Sequence, residues 1–109
     1  MLTSLITLLY NNDMMNSMTF LPELTTFLVI HKTIYTVRKY SYPSNVCSIE
    51  GVGVCTRIAV KRILCVEDLT PYVDLSGFKT AQEWWKKIRK FAGSDNRLIL
   101  YKVCITDGV

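Results

Sequence analysis

The run from Val54 to Val66, VCTRIAVKRILCV, reads as one long strand rich in β-branched and apolar residues. It places Val54, Thr56, Ile58 and Val60 on one side and Cys55, Arg57, Ala59 and Lys61 on the other. A strand of that length bends strongly, and such bending belongs to a small barrel. The chain has 109 residues, enough for one core and no second lobe. Multidomain enzymes with separate cofactor and substrate halves are excluded. Half of the residues are hydrophobic and 11% are aromatic, which excludes a disordered tail, a collagen-like repeat or a linker.

The remaining elements fit around that strand as an α+β unit. Pro22 suits the first turn of a helix near 21–31, with Leu24, Phe27, Leu28 and Ile30 as its apolar stripe. Thr33 to Arg38 reads as a strand, Lys39 to Asn45 as a loop and Val46 to Ile49 as a short strand. Glu50-Gly-Val-Gly53 marks a tight turn or a close backbone approach. Thr80 and Glu83 form a capping box that opens a second helix, with Ala81, Trp84 or Trp85, Ile88 and Phe91 on one face. Basic residues fill its last turns, and Gly93 closes it in a left-handed conformation. Leu98 to Ile105 is the final strand, with Ile99, Tyr101, Val103 and Ile105 on one side.

Residues 1–17 read as an extension apart from the domain, ill-ordered or loosely docked, with an overcalled start and a true one at Met18 as one account. Leu2, Leu5, Ile6, Leu8 and Leu9 would alternatively make a short apolar helix that covers a surface or meets a second copy. The apolar stretch Leu2 to Tyr10 is far shorter than the roughly 20 residues that span a bilayer. No basic residue precedes Lys32, so a secretory signal is not indicated. A soluble, cytoplasmic protein without a membrane partner is the expectation.

Cys47, Cys55, Cys65 and Cys104 show neither a CxxC nor zinc spacing with the single histidine, His31, so no metal or cofactor is expected. Each lies in or beside an apolar run, where a free cysteine behaves as a small buried hydrophobe; a Cys47–Cys55 disulfide is the alternative. Gly51-Val-Gly53 lacks the third glycine and the Lys-Ser/Thr of a phosphate-cradling loop. HExxH, GxSxG and a marked carboxylate pair are absent as well.

The chemical signal is basic residues interleaved with aromatic ones. Lys32-Thr-Ile-Tyr-Thr-Val-Arg-Lys-Tyr-Ser-Tyr42 combines three cations with three tyrosines. Cations neutralise phosphate and tyrosine faces stack exposed bases, a mixture suited to single-stranded or looped nucleic acid. Arg57, Lys61 and Arg62 form a second basic segment, and residues 86–90 a third. If they converge, they make a phosphate-tracking stripe; otherwise each is a solvated face. Successive helical residues point about 100° apart, so one of Trp84 and Trp85 belongs to the core and the other to a boundary or a homodimer contact, to which the N-terminal segment could add.

The order of segments resembles the ASCH family of the PUA-like superfamily. The resemblance rests on Phe20-Leu-Pro22, on Lys32-Thr-Ile-Tyr-Thr-Val-Arg38 in place of a K-T-x-T-x-R motif, on Gly51 to Lys61, on Asp74-Leu-Ser-Gly-Phe78, on Glu83-Trp-Trp85 and on the closing strand. It runs from about Met18 to the end. It implies a small PUA-like β-barrel of about five to six strands with two or three flanking helices, and a cleft beside the Thr-x-Arg strand that binds RNA or a nucleotide-like ligand. In that reading Arg38 and Lys39 hold phosphate, with Arg57 and Lys61 extending the basic surface, Tyr40 or Tyr42 stacks, and Thr36 and Ser76 line the cleft. Some family members are amidohydrolases acting on acetylated cytidine. Their lysine position falls here on Thr33 and their glutamate position on Ser76, so an enzyme would have to use Lys32, Thr36 and Asp74, with a bulge to restore the geometry. A binding module is therefore the first expectation and hydrolysis the alternative.

Overall fold

The computed structural model describes residues 17–39 and 41–106. Its elements are β1 (Ser17–Met18), α1 (Pro22–His31), β2 (Thr33–Arg38), β3 (Val46–Ile49), β4 (Gly53–Ile63), a 3₁₀ segment (Val66–Leu75), α2 (Ala81–Ala92) and β5 (Leu98–Ile105). The strands form one curled sheet in the order β1-β3-β4-β5-β2, antiparallel except for the β1–β3 pair. The expectations placed on residues 1–16 lie outside the described residues, whereas Ser17, assigned to the extension, pairs with Ser48.

Register explains why the sheet has a core on each face. In β2 and β5, Ile34 pairs with Val103 and Thr36 with Tyr101, and these point to one face. There they pack with Met18, Leu28, Cys47, Ile49 and Cys55 beneath α1. Val37 pairs with Leu100 on the other face, where Leu98, Leu100, Ile63 and Leu69 pack with Ala81, Trp84 and Ile88 of α2. β5 is thus buried on both sides, because α1 covers one face of the sheet over it and α2 the other. One alternating apolar stripe, as the sequence suggested for it, accounts for half of its core contribution.

The β4 strand is long and bent, and the bend has a located cause. Its register against β5 slips between Ala59 and Lys61, a β-bulge centred on Val60. Before the bulge, Arg57 pairs with Val103 and faces the α1 side; after it, Lys61 pairs with Leu100 and faces the α2 side. One inserted residue reverses the alternation. Arg57 and Lys61 therefore lie on opposite faces, which corrects the expectation that they share one.

The helix ends agree with the sequence in part. Thr80 Oγ1 accepts from Glu83 N at 3.1 Å, satisfying one of the free amides of the first turn of α2. Gly93 N donates to Arg89 O at 2.8 Å at the other end, with a positive φ of 60° but a ψ of −128° in place of the left-handed conformation expected. At the end of α1, Lys32 adopts a left-handed conformation (φ 68°) while its N–H donates to Leu28 O. The strand expected to run to Val66 ends at Ile63, and Val66 instead opens the 3₁₀ segment, whose residues 67–75 carry no predicted element. Pro71, which lacks an N–H, interrupts a regular helix there. The Asp68 carboxylate accepts from Leu64 N at 2.8 Å and Cys65 N at 3.3 Å, fixing the entrance to the segment. These main-chain donors hold the Asp68 carboxyl below its usual range. Among the described residues all four cysteines are free thiols; Cys47 and Cys55 are buried directly opposite one another in β3 and β4.

Candidate functional site

β2 is the last strand of the sheet, and a cleft of about 430 Å³ runs along its outer edge. Phe20, Leu21 and Pro22 at the start of α1 form one wall; Trp84, Lys87, Ile88 and Phe91 of α2 form the other, with Ser76 and Phe78 between them. The volume is that of a small-molecule site. Most of the lining is apolar or aromatic, and its charged members among the described residues are Arg38, Lys39 and Lys87, all cations.

Arg38 is held from several sides. Its Nε donates to Thr36 Oγ1 at 3.2 Å, its Nη2 donates to Thr19 O at 2.8 Å, and its guanidinium lies 4.8 Å from the Phe20 ring centroid. The residue thereby ties the chain after β1 to β2 and sets the Phe20 wall. Burial lowers the Arg38 pKa from the ordinary arginine value, and Tyr42 acts against that loss. Thr36 lines the cleft, with its hydroxyl engaged by Arg38. Ser76 lines it too, but its Oγ donates to Val73 O at 2.7 Å and accepts from Phe78 N at 3.0 Å. That hydroxyl shapes the turn and is not offered to a ligand.

Tyr42 lines the cleft with one ring face covered, since the Arg57 guanidinium stacks on it at 3.8 Å and Tyr101 meets it edge-on. Arg57 itself is 0% exposed and donates through Nε to Ser44 O at 3.0 Å. This corrects its expected role: Arg57 supports the Tyr42 loop from inside and does not present a surface cation to phosphate. Lys61 lies 3.6 Å from Asp68 on the α2 face and is also no part of the cleft. Tyr40 falls outside the described residues.

The residues of the hydrolase alternative are not brought together. Lys32 and Asp74 are exposed, and neither lines the cleft. β2 pairs with β5 without interruption, so no bulge moves Lys32 toward Thr36. Four strand positions separate them by roughly 13 Å. Nor does any carboxylate line the cleft among the described residues. Trp84, one candidate for a dimer contact, is 3% exposed and stacked with Phe78, which leaves only a sliver of it at the cleft and too little for a contact with a second copy. Trp85 is the half-buried one, with Arg89 above its ring.

Sequence reasoning does not assign Lys87, Phe20 or Phe78 to the site, and Phe91, expected only on one helix face with Ala81 and Ile88, is 64% exposed and lines the cleft. The signal for α2 was present, because Trp84, Lys87 and Phe91 recur along one stripe at helical spacing. Among the described residues no group of three or more His, Cys, Asp or Glu could hold a metal ion, and no helix is long and apolar enough to cross a membrane. Comparison of the chain with protein-family models, curated proteins and solved structures finds no match.

Proposed function

We propose that the cleft beside β2 binds RNA or a nucleotide-like ligand, with its aromatic part between the α1 and α2 walls and its phosphate toward Arg38, Lys39 and Lys87. One observation carries this reading: an apolar, aromatic-lined cleft of small-molecule size whose charged lining is cationic throughout. Aromatic and apolar walls favour a planar base, and cations neutralise phosphate. The segment order that resembles the ASCH family, with its PUA-like barrel and a cleft beside the Thr-x-Arg strand, points the same way. The basic segments do not line up over a long path, so the ligand engages few phosphates. A single nucleotide, free or at an unpaired position of an RNA, is what the cleft accommodates.

Lys39 and Lys87 give a cleaner test than Arg38, whose removal also releases Thr19. In a salt titration with nucleoside monophosphates and a short single-stranded RNA, the Lys39→Ala/Lys87→Ala double variant is expected to bind at least tenfold more weakly. Its salt dependence should be shallower, since each lost phosphate contact reduces the slope by about 0.7 to 1. Equal affinity and slope for the double variant and the wild type would remove the assignment.

A further inference from the structure

The open edge of β2 offers main-chain groups to the same cleft. Ile105 N donates to Lys32 O at 3.0 Å, which makes Lys32 and Ile105 a hydrogen-bonded pair. Hydrogen-bonded and non-hydrogen-bonded pairs alternate along an antiparallel ladder. The register is uninterrupted, so Ile34–Val103, Thr36–Tyr101 and Arg38–Ile99 are the other hydrogen-bonded pairs. Thr106 N donating to Val54 O supports the same phase, because it turns the even-numbered residues of β5 toward β4 and leaves the odd-numbered ones for β2. The N–H and C=O groups of Tyr35 and Val37 therefore point away from β5, off the sheet edge.

That edge is the floor of the cleft, where Tyr35 and Val37 both contribute lining. Among the described residues, no hydrogen bond outside the β2–β5 ladder reaches their main-chain groups. An open edge normally invites another strand. Here the walls flank it with Phe20, Phe78 and Phe91, surfaces suited to a flat ring. In extended backbone, the N–H and C=O of one residue lie side by side on one edge, a donor next to an acceptor. A nucleobase presents the complementary couple on its Watson–Crick edge, where RNA-binding proteins commonly read it.

We infer that the main chain of Tyr35 and Val37 reads the base of the bound nucleotide through the exposed edge of β2, while the cationic lining takes its phosphate. This rests on the nucleotide reading of the cleft and adds what selects the base. Side chains then play little part in base choice, and the preference comes from donor and acceptor order.

Proline provides the test, because it deletes one N–H and is tolerated on the open side of an edge strand. Calorimetry compares AMP, GMP, CMP, UMP and ribose 5-phosphate on the wild type, Val37→Pro and Val37→Ala, each with its melting temperature. At least one nucleotide should bind tenfold or more tightly than ribose 5-phosphate. Val37→Pro should lose at least tenfold toward that nucleotide, and Val37→Ala, which keeps the amide, should retain most of the affinity. A folded Val37→Pro that binds like the wild type overturns the inference. Equal binding of ribose 5-phosphate and every nucleotide also overturns it while sparing the phosphate site. A wild type that takes none of these ligands, or takes an extended acidic peptide instead, brings down the nucleotide reading itself. If Val37→Pro fails to fold, the preferred base stripped of its exocyclic donor or acceptor decides: a tenfold loss supports main-chain reading and unchanged affinity overturns it.

Discussion

The Arg57 guanidinium carbon lies 3.8 Å from the centroid of the Tyr42 ring, and its Nε donates to Ser44 O at 3.0 Å. A fully buried cation thus holds the loop that brings Tyr42 to the cleft. Arg57→Ala removes the stacking partner, the hydrogen bond and the packed stem, and is expected to cost about 2–4 kcal/mol in chemical denaturation. Arg57→Met keeps much of the volume and should cost about half as much. In a salt titration with a nucleoside monophosphate, both variants should change affinity without changing the slope, since Arg57 meets no phosphate. A shallower slope in a folded variant would contradict its inner position.

Lys61 and Lys87 lie on the same side of the sheet, but only one of them reaches the cleft. Lys61 sits on β4, two strands from β2, and pairs with Asp68, whereas Lys87 lines the cleft. Lys61→Ala should leave ligand affinity within twofold of the wild type and alter stability by less than about 1 kcal/mol, as for other exposed ion pairs. Lys87→Ala should weaken binding several-fold with little change in melting temperature. The reverse pattern would contradict the placement of Lys87 at the cleft and of Lys61 outside it.

Gly77 sits at φ 86°, and a Cβ there would come within 2.5 Å of Leu24 Cδ2 on α1. Gly77→Ala meets both a backbone penalty and a displaced wall residue, and should cost about 1–3 kcal/mol. For a domain of this size that is a melting-temperature drop of roughly 4–8 °C per kcal/mol. Adding Leu24→Ala relieves the crowding only, so the double variant should be less destabilised than the sum of the two single ones. Strict additivity would show that the turn does not press on α1.

Burial pushes the Cys55 thiol up to about 11, from an ordinary 9.0. The folded state therefore keeps this proton more firmly than the unfolded chain does. The resulting stability is present below pH 9 and is lost as pH rises toward 11. The difference in urea midpoint between the wild type and Cys55→Ala should shrink between pH 8 and pH 10.5. In the native protein at pH 8, iodoacetamide should modify exposed Cys65 first and leave Cys47 and Cys55 intact, because alkylation needs an accessible thiolate.

Asp95 is depressed to about 2 by the Arg97 side chain, whose Nη2 donates to its carboxylate at 2.9 Å. Its contribution to stability is present above the ordinary value of 3.8 and is lost as pH falls toward 2. Arg97→Ala should raise the Asp95 titration, followed by carboxyl NMR shifts, part of the way toward 3.8, because the main-chain N–H at position 97 still donates to the carboxylate. An unmoved titration would show that the turn amides alone hold the charge.

Local chemistry determined most of the elements. Alternation set β2, β3 and β5 at the bounds observed, Pro22 and Thr80 opened the two helices, and the indole orientations one residue apart put one tryptophan inside and the other at a boundary. These signals act between residues a few positions apart, so they are visible in a linear chain. β1 was not visible, because a two-residue strand exists only through its pairing with β3. The 3₁₀ segment escaped for a related reason: its course depends on Asp68 capping from within and on Tyr72 packing against Tyr35 of β2.

For the candidate site, the sequence by itself determined that basic and aromatic residues crowd around β2. Only the tertiary structure decided which of them meet. One extra residue at Val60 reversed the facing of β4 and sent Lys61 away, the same sheet drew Arg57 inward to support Tyr42, and α2 brought Lys87 and Phe91 across from Phe20. Strand alternation is a local rule, but a bulge changes its phase, and strand order decides which edge stays open. Both are set by pairing between distant segments, where no single stretch of sequence carries the information.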